Sequence, residues 1–527
     1  QTYPFEFKGG LITNLSPFQQ GIQAPGSARI LRNFEPSVFG GYRRVEGYDK
    51  FDDVAVANTG NIRGLIRYDS YVYAVRGDDL FRSNNTSFTA DVNGAISAAT
   101  TLVLDGKGGT IQKGMTVTGT GISGRVTVDS VTSQDSTTAT IELSSAQTLA
   151  DDVELTFAGW TQISDNSDFS SSGTTIGGTG KVRFLKYNFD GSEKLLMVDG
   201  TGKPFRFDGT TFEQLSSLSS DTSGSSHIMN FKNHVFLGNG ENLIFSAPYE
   251  DDDFTTANGG GIINIADNIT GLIVFRDQLI VFSENTINRV AGSSVADFQL
   301  LPVSRDLGCV AEDTIQEIGG DVIFLGPDGL RLFSATDRVG DFSLGVVSKT
   351  IQTEMLDLIS SSSDFTSTVI REKSQYRIFG FQSSYSNDAA KAVAGTQLQE
   401  GISWNDLRGF NAYVTTSEYD GFQERIYFAA KDGYVYQMEQ GNTQDGTDIV
   451  ATFATPFVPL NDPNVRKTIY KGTTYLDVNG TFDLEFSLKF DFDQPDSPQP
   501  DSILSTYAGA SISYGTGIYG TSLFGNK

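Results

Sequence analysis

Asp321-Val-Ile-Phe-Leu-Gly-Pro-Asp-Gly-Leu-Arg-Leu-Phe333 is the clearest copy of a unit that recurs along the chain and determines its fold. The unit is a short apolar strand, a turn rich in Gly, Asp and Asn, and a second strand with apolar or aromatic side chains. Its Asp-Gly turn supplies the positive φ angles that a tight β-hairpin requires. Five further copies occupy residues 71–81, 194–207, 234–245, 278–289 and 425–436. The chain is therefore built from repeated hairpins.

The spacing of these hairpins predicts a β-propeller. Copies that begin at residues 234, 278 and 321 are 44 and 43 residues apart, and four-stranded propeller blades repeat at about 40–45 residues. Apolar stretches before several hairpins add one strand to those units. The copies favour six blades and allow seven, because residues 375–404 form either a further blade or the outer half of the last one. A β-sandwich or a solenoid with similar hairpins is the alternative.

The composition agrees with an all-β protein and excludes several classes of function. The 527 residues include 57 Gly, 38 Phe and 20 Tyr, which is typical of many short strands joined by tight turns. The formal net charge of −26 excludes a cationic nucleic-acid clamp. The single cysteine, Cys309, excludes an internal disulfide framework.

Four regions are predicted along the chain. Residues 1–60 form an extended N-terminal arm that ends in a first propeller strand, and the propeller occupies residues 61–87 and 159–445. Residues 88–158 contain Thr- and Val-rich stretches that alternate with period two, which predicts an inserted Ig-like β-sandwich or a barrel. Residues 446–527 form a C-terminal region of β-strands and a Gly/Tyr-rich tail. Within it, residues 482–492 alternate apolar and polar side chains as a half-buried strand does.

Candidate chemical sites are few. Neither histidine belongs to a metal-binding or catalytic motif, and Cys309 is interpreted as a small buried hydrophobic residue. Asp251, Asp252 and Asp253 form the densest acidic cluster. We interpret this cluster as an exposed acidic loop, with Ca²⁺ binding as the alternative. We therefore predict no catalytic residue, no metal site and no cofactor.

Basic residues are concentrated in the N-terminal arm of this acidic chain. Arg29, Arg32, Arg43 and Arg44 lie within sixteen residues of one another. Scattered solvation is one interpretation of this group. The other is that the four arginines dock against a neighbouring subunit or an acidic partner such as an adaptor.

The same arm resembles the opening of virion tail proteins of short-tailed phages. Residues 9–13 read Gly-Gly-Leu-Ile-Thr, residues 25–34 read Pro-Gly-Ser-Ala-Arg-Ile-Leu-Arg-Asn-Phe, and residues 40–48 read Gly-Gly-Tyr-Arg-Arg-Val-Glu-Gly-Tyr. The last stretch departs from the pattern by one extra residue before Gly47. The family is the nozzle, or tubular tail protein, whose body is a β-propeller. The insert resembles a small β-module of structural proteins in marine cyanobacterial phages.

The resemblance implies a homo-hexameric nozzle at the distal end of a short phage tail. Its partners would be further copies of itself, a dodecameric tail adaptor, tail fibres or a tip protein, and viral DNA that passes through the lumen without specific binding. The host cell surface is a further candidate. The charge fits this role independently, because a negative wall repels the phosphate backbone.

We therefore expect a virion structural protein without enzymatic activity. Two alternatives stay open at this point. One is a carbohydrate-binding β-propeller of a host-recognition apparatus, and the other is a propeller hydrolase or lyase.

Overall fold

The structure is a computed structural model that divides into two units. It describes residues 3, 6–37, 40–84, 87–124, 126–171, 173–339, 346–384, 389–399, 401–460, 465, 467–471, 474–476, 482–491 and 498–507. The larger unit comprises Glu6–Asn14 and Ser27–Ala454. The smaller unit comprises Gln1–Phe5, Leu15–Gly26 and Thr455–Lys527.

The larger unit is a β-propeller, and its described residues form seven blades. The innermost strands of blades 1 to 7 adjoin one another in chain order, with a 3₁₀ turn bridging blades 4 and 5. The innermost strand of blade 7 adjoins that of blade 1, which closes the ring. The predicted all-β propeller is confirmed. Its blade count is seven, which the sequence allowed, and not the six that it favoured.

Blades 1 to 4 have four antiparallel strands each, named from the innermost to the outermost. Blade 1 consists of Ile62–Tyr68, Tyr71–Arg76, Asp79–Ser83 and Trp160–Gln162. Blade 2 consists of Arg183–Tyr187, Lys194–Val198, Phe205–Phe207 and Phe212–Gln214. Blade 3 consists of His227–Phe231, His234–Asn239, Asn242–Phe245 and Gly261–Asn264. Blade 4 consists of Ile269–Phe275, Gln278–Ser283, Ile287–Ala291 and Gln299–Ser304.

Blades 5 to 7 differ in size. Blade 5 consists of Gln316–Ile318, Asp321–Gly326 and Gly329–Leu332. Blade 6 consists of Asp364–Ile370, Gln375–Phe381, Lys391–Leu398, Gly401–Arg408, Ile30–Arg32 and Thr452–Ala454. Blade 7 consists of Val414–Asp420, Gln423–Ala429, Val435–Met438, Tyr48–Lys50, Thr443–Gln444 and Thr447–Asp448. The N-terminal arm thus contributes one strand to blade 6 and one to blade 7.

The six repeated hairpins supply the second and third strands of their blades, counted from the axis. The apolar stretch before each hairpin forms the innermost strand. Residues 375–404 belong to a further blade, blade 6, and this accounts for the seventh unit.

Hydrophobic cores fill the space between all neighbouring blades. Seven of the eight buried clusters each join two consecutive blades, including blade 7 with blade 1. Between blades 1 and 2, Phe205, Phe207 and Phe212 are fully buried. Face-to-face packing of twisted blades through large apolar side chains is what holds the ring together.

The N-terminal arm closes the ring by pairing with the end of the propeller chain. Tyr48–Lys50 pairs antiparallel with Val435–Met438, and the Tyr48 hydroxyl donates to the carbonyl of Gly409 at 2.8 Å. A Cβ atom on Gly47 would lie 1.8 Å from the carbonyl oxygen of Thr443, so a side chain cannot be accommodated there. A short hairpin of Phe34–Pro36 and Tyr42–Arg44 precedes this strand.

The insert is a closed six-stranded barrel, which confirms the predicted β-module and selects the barrel. Its strands follow the order Thr116–Gly119, Val126–Gln134, Ala139–Leu149, Ile96–Asp105, Phe88–Val92 and Glu154–Ala158. The barrel has its own buried core. It is fastened to blade 1, because the carbonyl of Lys113 accepts from the Gln162 amide at 2.7 Å and the Lys113 ammonium pairs with Asp165 at 3.0 Å.

Helices are short and few in the described chain. The α-helices are Pro17–Gln23, Phe333–Val339 and Gln352–Ser361. The 3₁₀ turns are Ser167–Phe169, Ser220–Thr222, Thr256–Asn258, Glu312–Thr314, Lys349–Ile351 and Arg371–Lys373. Within the described residues, no helix has the length and apolar character needed to cross a bilayer.

The smaller unit contains a two-stranded hairpin of Phe482–Phe486 and Ile503–Tyr507. The alternating pattern predicted a strand that continues to residue 492, but the strand ends at Phe486 because its partner strand is only five residues long. Beyond it, the side-chain amide of Gln499 exchanges two hydrogen bonds with the backbone of Phe490, at 2.8 and 3.0 Å.

Candidate functional site

A cavity of about 300 Å³ lies on the propeller axis, where the innermost strands begin. Six of the seven blades contribute to its wall through the first residues of their innermost strands or the residues just before them. The lining residues are Gly180, Lys181, Arg183, His227, Ile269, Thr270, Val310, Ala311, Glu312, Asp313, Asp364 and Tyr413. A polar cavity on the axis is the place where a propeller can bring side chains from many blades together.

Lys181 is the most deeply buried cation of this wall, with 6% of its side chain exposed. Its ammonium lies 2.8 Å from Asp313 and 2.9 Å from Asp364, and it donates to the carbonyl of Phe365 at 2.7 Å. Burial lowers the pKa of Lys181, but the two carboxylates outweigh burial and raise it above its ordinary value. The lysine therefore stays charged at neutral pH.

Arg183 and His227 complete the charged cluster from blades 2 and 3. The Arg183 guanidinium pairs with Glu312 and with Asp313, the latter at 3.3 Å. Nδ1 of His227 lies 2.5 Å from the carboxylate of Glu312. Burial raises the pKa of Asp313, but the charges of Arg183 and Lys181 outweigh it and hold that pKa at about 2.

The charges of this cluster are paired, with three carboxylates facing two cations and His227. Both cations are bound by carboxylates, and each carboxylate of the wall faces a cation or His227. Burial and the Asp364 charge raise the pKa of Tyr413, so this phenol stays protonated. Among the described residues, no group of three or more His, Cys, Asp and Glu side chains is arranged to hold a metal ion. The cavity can hold small polar molecules or water between paired charges.

The other candidate nucleophile and base are buried in cores. Cys309 is 2% exposed between blades 4 and 5, and burial raises the pKa of its thiol to about 12. His234 is 2% exposed, and its Nδ1 contacts the carbonyl of Ser246 at 2.5 Å. Phe298 packs edge-on against the His234 ring with centroids 5.4 Å apart. The cysteine therefore stays a neutral thiol.

The acidic cluster predicted from sequence is only partly exposed. Asp251 is 8% exposed, accepts a hydrogen bond from the Tyr187 hydroxyl at 2.5 Å, and pairs with Arg206 at 2.9 Å. Asp252 is exposed and lies 3.5 Å from the same arginine. Asp253 accepts from the backbone and the hydroxyl of Thr255 at 2.8 and 2.7 Å. These contacts stabilise a turn.

The four arm arginines lie along blades 6 and 7. The Arg32 guanidinium pairs with Asp406 at 2.9 Å, and that of Arg43 pairs with Glu35 at 2.8 Å. Arg44 donates to the Asn442 side chain at 2.7 Å. The backbone amide of Arg29 donates to the carbonyl of Ala454 at 2.8 Å. Docking of these residues to another subunit or to an adaptor stays a prediction.

A second buried charge cluster joins the arm to blades 6 and 7. Arg377 is fully buried and pairs with Glu35 at 3.2 Å and with Glu439 at 2.7 Å. Lys373 pairs with both carboxylates, at 2.8 Å for Glu35. Burial raises the pKa of Glu439, but Arg377 and Lys373 outweigh it and hold it at about 2. The cluster therefore fixes the arm through charges.

Neither charge cluster was predicted from the sequence. Lys181, the adjacent pair Glu312 and Asp313, and Asp364 lie at three distant places in the chain, and each alone is an ordinary charged residue near a strand end. The signal that could have found them is their position within the blade repeat. Once the innermost strand of each blade is aligned, all four residues fall at or just before its first position.

Comparisons with known proteins show limited similarity. No protein-family model and no curated protein matches the chain. The crystal structure of the computationally designed Ika8 protein shares 11% identity, over 73% of this chain and 99% of that one, with a TM-score of 0.32. The AfRom2 CNH domain shares 11% identity, over 50% of this chain and 96% of that domain, with a TM-score of 0.27. The propeller assignment therefore rests on the strand order of the chain itself.

Proposed function

We propose that the protein is a virion structural protein that forms a homo-hexameric nozzle at the end of a short phage tail. The observation that carries this proposal is the N-terminal motif, whose residues have tight contacts in the propeller. Gly10 has φ +68°, and a Cβ atom there would lie 2.8 Å from the backbone nitrogen of Trp404. Asn33, also at positive φ, accepts from the Arg408 amide at 2.8 Å and donates to the Val450 carbonyl at 2.9 Å.

The motif is thus a structural signature of how this propeller closes. Gly10 and Gly47 occupy positions where a side chain would collide with backbone, and Ala28 is fully buried. Close contacts dictate the residue types at these positions. A match to the nozzle family at such positions is therefore more specific than a match in overall composition. This supports carrying the family's role over to this chain as a proposal.

The charge of the chain fits a conduit for DNA. Six copies of a chain with net charge −26 would surround the genome with negative charge, which repels phosphates and lets DNA slide. The axial cavity of about 300 Å³ is far too small for a double helix. The lumen in this proposal therefore lies between copies of the chain, and each propeller is part of its wall.

The paired charges of the axial cavity favour a scaffold over an enzyme. A general base or nucleophile needs a pKa matched to its task, whereas Lys181 and Asp313 are held charged by their partners and Tyr413 is kept neutral by burial. In this proposal the protein works by assembly. It docks to a tail adaptor on one side, supports fibres or a tip on the other, and gates the genome.

Purified full-length protein tests the proposal. Mass photometry should show a hexamer of about 342 kDa, six times the 57.0 kDa chain, and negative-stain images should show six-fold rings. Electrophoresis with duplex DNA at low salt should show no retained complex. A monomer that binds host glycans, or one that cleaves a polysaccharide, would overturn the nozzle proposal.

A further inference from the structure

The C-terminal segment, residues 455–507, lacks a third strand for its hairpin within the described residues. Phe482–Phe486 and Ile503–Tyr507 pair only with each other, with Phe486 opposite Ile503 and Glu485 opposite Leu504. An isolated two-stranded hairpin is marginally stable in water and needs a further strand or a packed face. The hairpin is therefore a candidate for stabilisation by an additional surface.

The same segment leaves its apolar side chains uncovered. It is about a tenth of the chain, yet it contains nearly half of the large hydrophobic residues that are exposed in the described structure. Tyr470 is 95% exposed, Tyr475 92%, Leu504 70% and Ile503 65%. Of the described residues, none in this segment belongs to any of the eight buried clusters. Exposed apolar surface concentrated in this way marks an interaction site.

The segment carries opposite charges in its two parts. Lys467 and Lys471 are exposed upstream of the hairpin, whereas Asp483, Glu485 and Asp501 are exposed on and beside it. The first part is basic although the whole chain has a net charge of −26. One copy of the segment therefore presents both halves of a complementary pair.

We propose that a second copy of this chain covers the C-terminal segment, head to tail. The acidic hairpin of one copy packs against the exposed Lys467, Tyr470, Lys471 and Tyr475 of the next. A heterologous contact of this kind generates a ring when the rotation closes. Each copy then uses both of its charged parts, and the apolar side chains of neighbouring copies bury one another. This inference names the surface that closes the proposed hexamer, and to that extent rests on the proposed function.

Charge reversal in full-length protein tests the inference. Variant A carries Lys467→Glu and Lys471→Glu, and variant B carries Asp483→Lys and Glu485→Lys. Each variant alone should weaken assembly at least tenfold in mass photometry. An equimolar mixture of A and B should restore it, because every contact in an alternating ring again joins opposite charges. The control Arg305→Glu reverses an exposed charge on the propeller and should assemble like the wild type.

The outcomes separate this inference from the hexamer itself. If A and B assemble like the wild type, another surface closes the ring, and the inference is wrong while the hexamer stands. If each variant fails and the mixture also fails, the head-to-tail pairing is wrong. A wild-type chain that stays monomeric at high micromolar concentration overturns the inference and the proposed ring together. Thermal unfolding checks that each variant is folded, and the unfolding midpoint of each should match that of the wild type.

Discussion

The propeller and the C-terminal segment differ in how far they bury their apolar side chains. The propeller buries them within one chain, because every pair of neighbouring blades shares a core and the arm closes the ring. The C-terminal segment has a hairpin whose neighbours in the described chain supply no core. The first region therefore completes its core within one copy, and the second is the part for which we propose a partner copy. Perturbations of the two regions should therefore affect different properties, namely stability and assembly.

Arg377→Met should give the largest loss of stability. The substitution leaves Glu35 and Glu439 buried without their fully buried cation, and removing one partner of a buried ion pair costs about 4 kcal/mol. Chemical denaturation monitored by tryptophan fluorescence measures the loss.

The matched control for this change is Arg305→Met. Arg305 is exposed between blades 4 and 5, and surface substitutions change stability by less than about 0.5 kcal/mol. Equal effects of the two substitutions would show that the buried cluster does not hold the arm in place.

Lys181→Met should destabilise the axial end of the propeller by about 3 kcal/mol at neutral pH. Asp313 and Asp364 would then lose the ammonium that lies within 2.9 Å of both. The loss should shrink as the pH falls from 5 towards 2, because protonated carboxyl groups no longer need the cation. Denaturation midpoints of both proteins across this pH range check the prediction, and a pH-independent difference would contradict it.

The wild-type propeller should lose stability in acid. The pKa values of Asp313 and Glu439 are held at about 2, below their ordinary 3.8 and 4.5. A carboxyl whose pKa is lowered by folding contributes stability that is complete above its unfolded pKa. That contribution should therefore disappear as the pH falls from about 4.5 to 2. Urea midpoints that stay constant over this range would show that the two carboxylates are not held by their cations.

The sequence predicted the features that depend on local patterns. Hairpins with Asp-Gly and Asn-Gly turns and a spacing near 43 residues were enough for the propeller, and the Thr-rich alternation was enough for the barrel. Blade 6 was ambiguous because its middle strands are separated by residues 382–390 without such a turn. Two blades also take strands from the N-terminal arm, which pairs with residues more than 370 positions away.

Local sequence patterns could not predict the candidate site, because its residues come together only when the propeller ring forms. Lys181 and Asp364 are 183 positions apart, and nothing near either residue in the chain indicates the other. The arm arginines were recognised as unusual, but Asp406, the partner of Arg32, becomes evident only when blade 6 is assembled. Glu35, the partner of Arg43, lies opposite it in the arm hairpin. Charge pairing across blades therefore required the structure.

Replacing the barrel with a short Gly/Ser linker should have a small effect on the propeller. The barrel has its own core, and its fastening to blade 1 includes the Lys113–Asp165 pair and the Gln162 hydrogen bond. Loss of these contacts costs about 1 kcal/mol. Thermal unfolding of the shortened chain measures this cost, and complete loss of folding would show that the barrel is part of the propeller core.

The contrast between the two regions can be tested by measuring the mass in solution of a chain that ends at Ala454 and of the full-length protein. We expect the shortened chain to be a monomer that unfolds within about 2 °C of the full-length propeller transition. The full-length protein should be a hexamer of about 342 kDa, six times 57.0 kDa. A shortened chain that still forms the hexamer, or one that no longer folds, would contradict the division between a self-sufficient propeller and an assembling C-terminal segment.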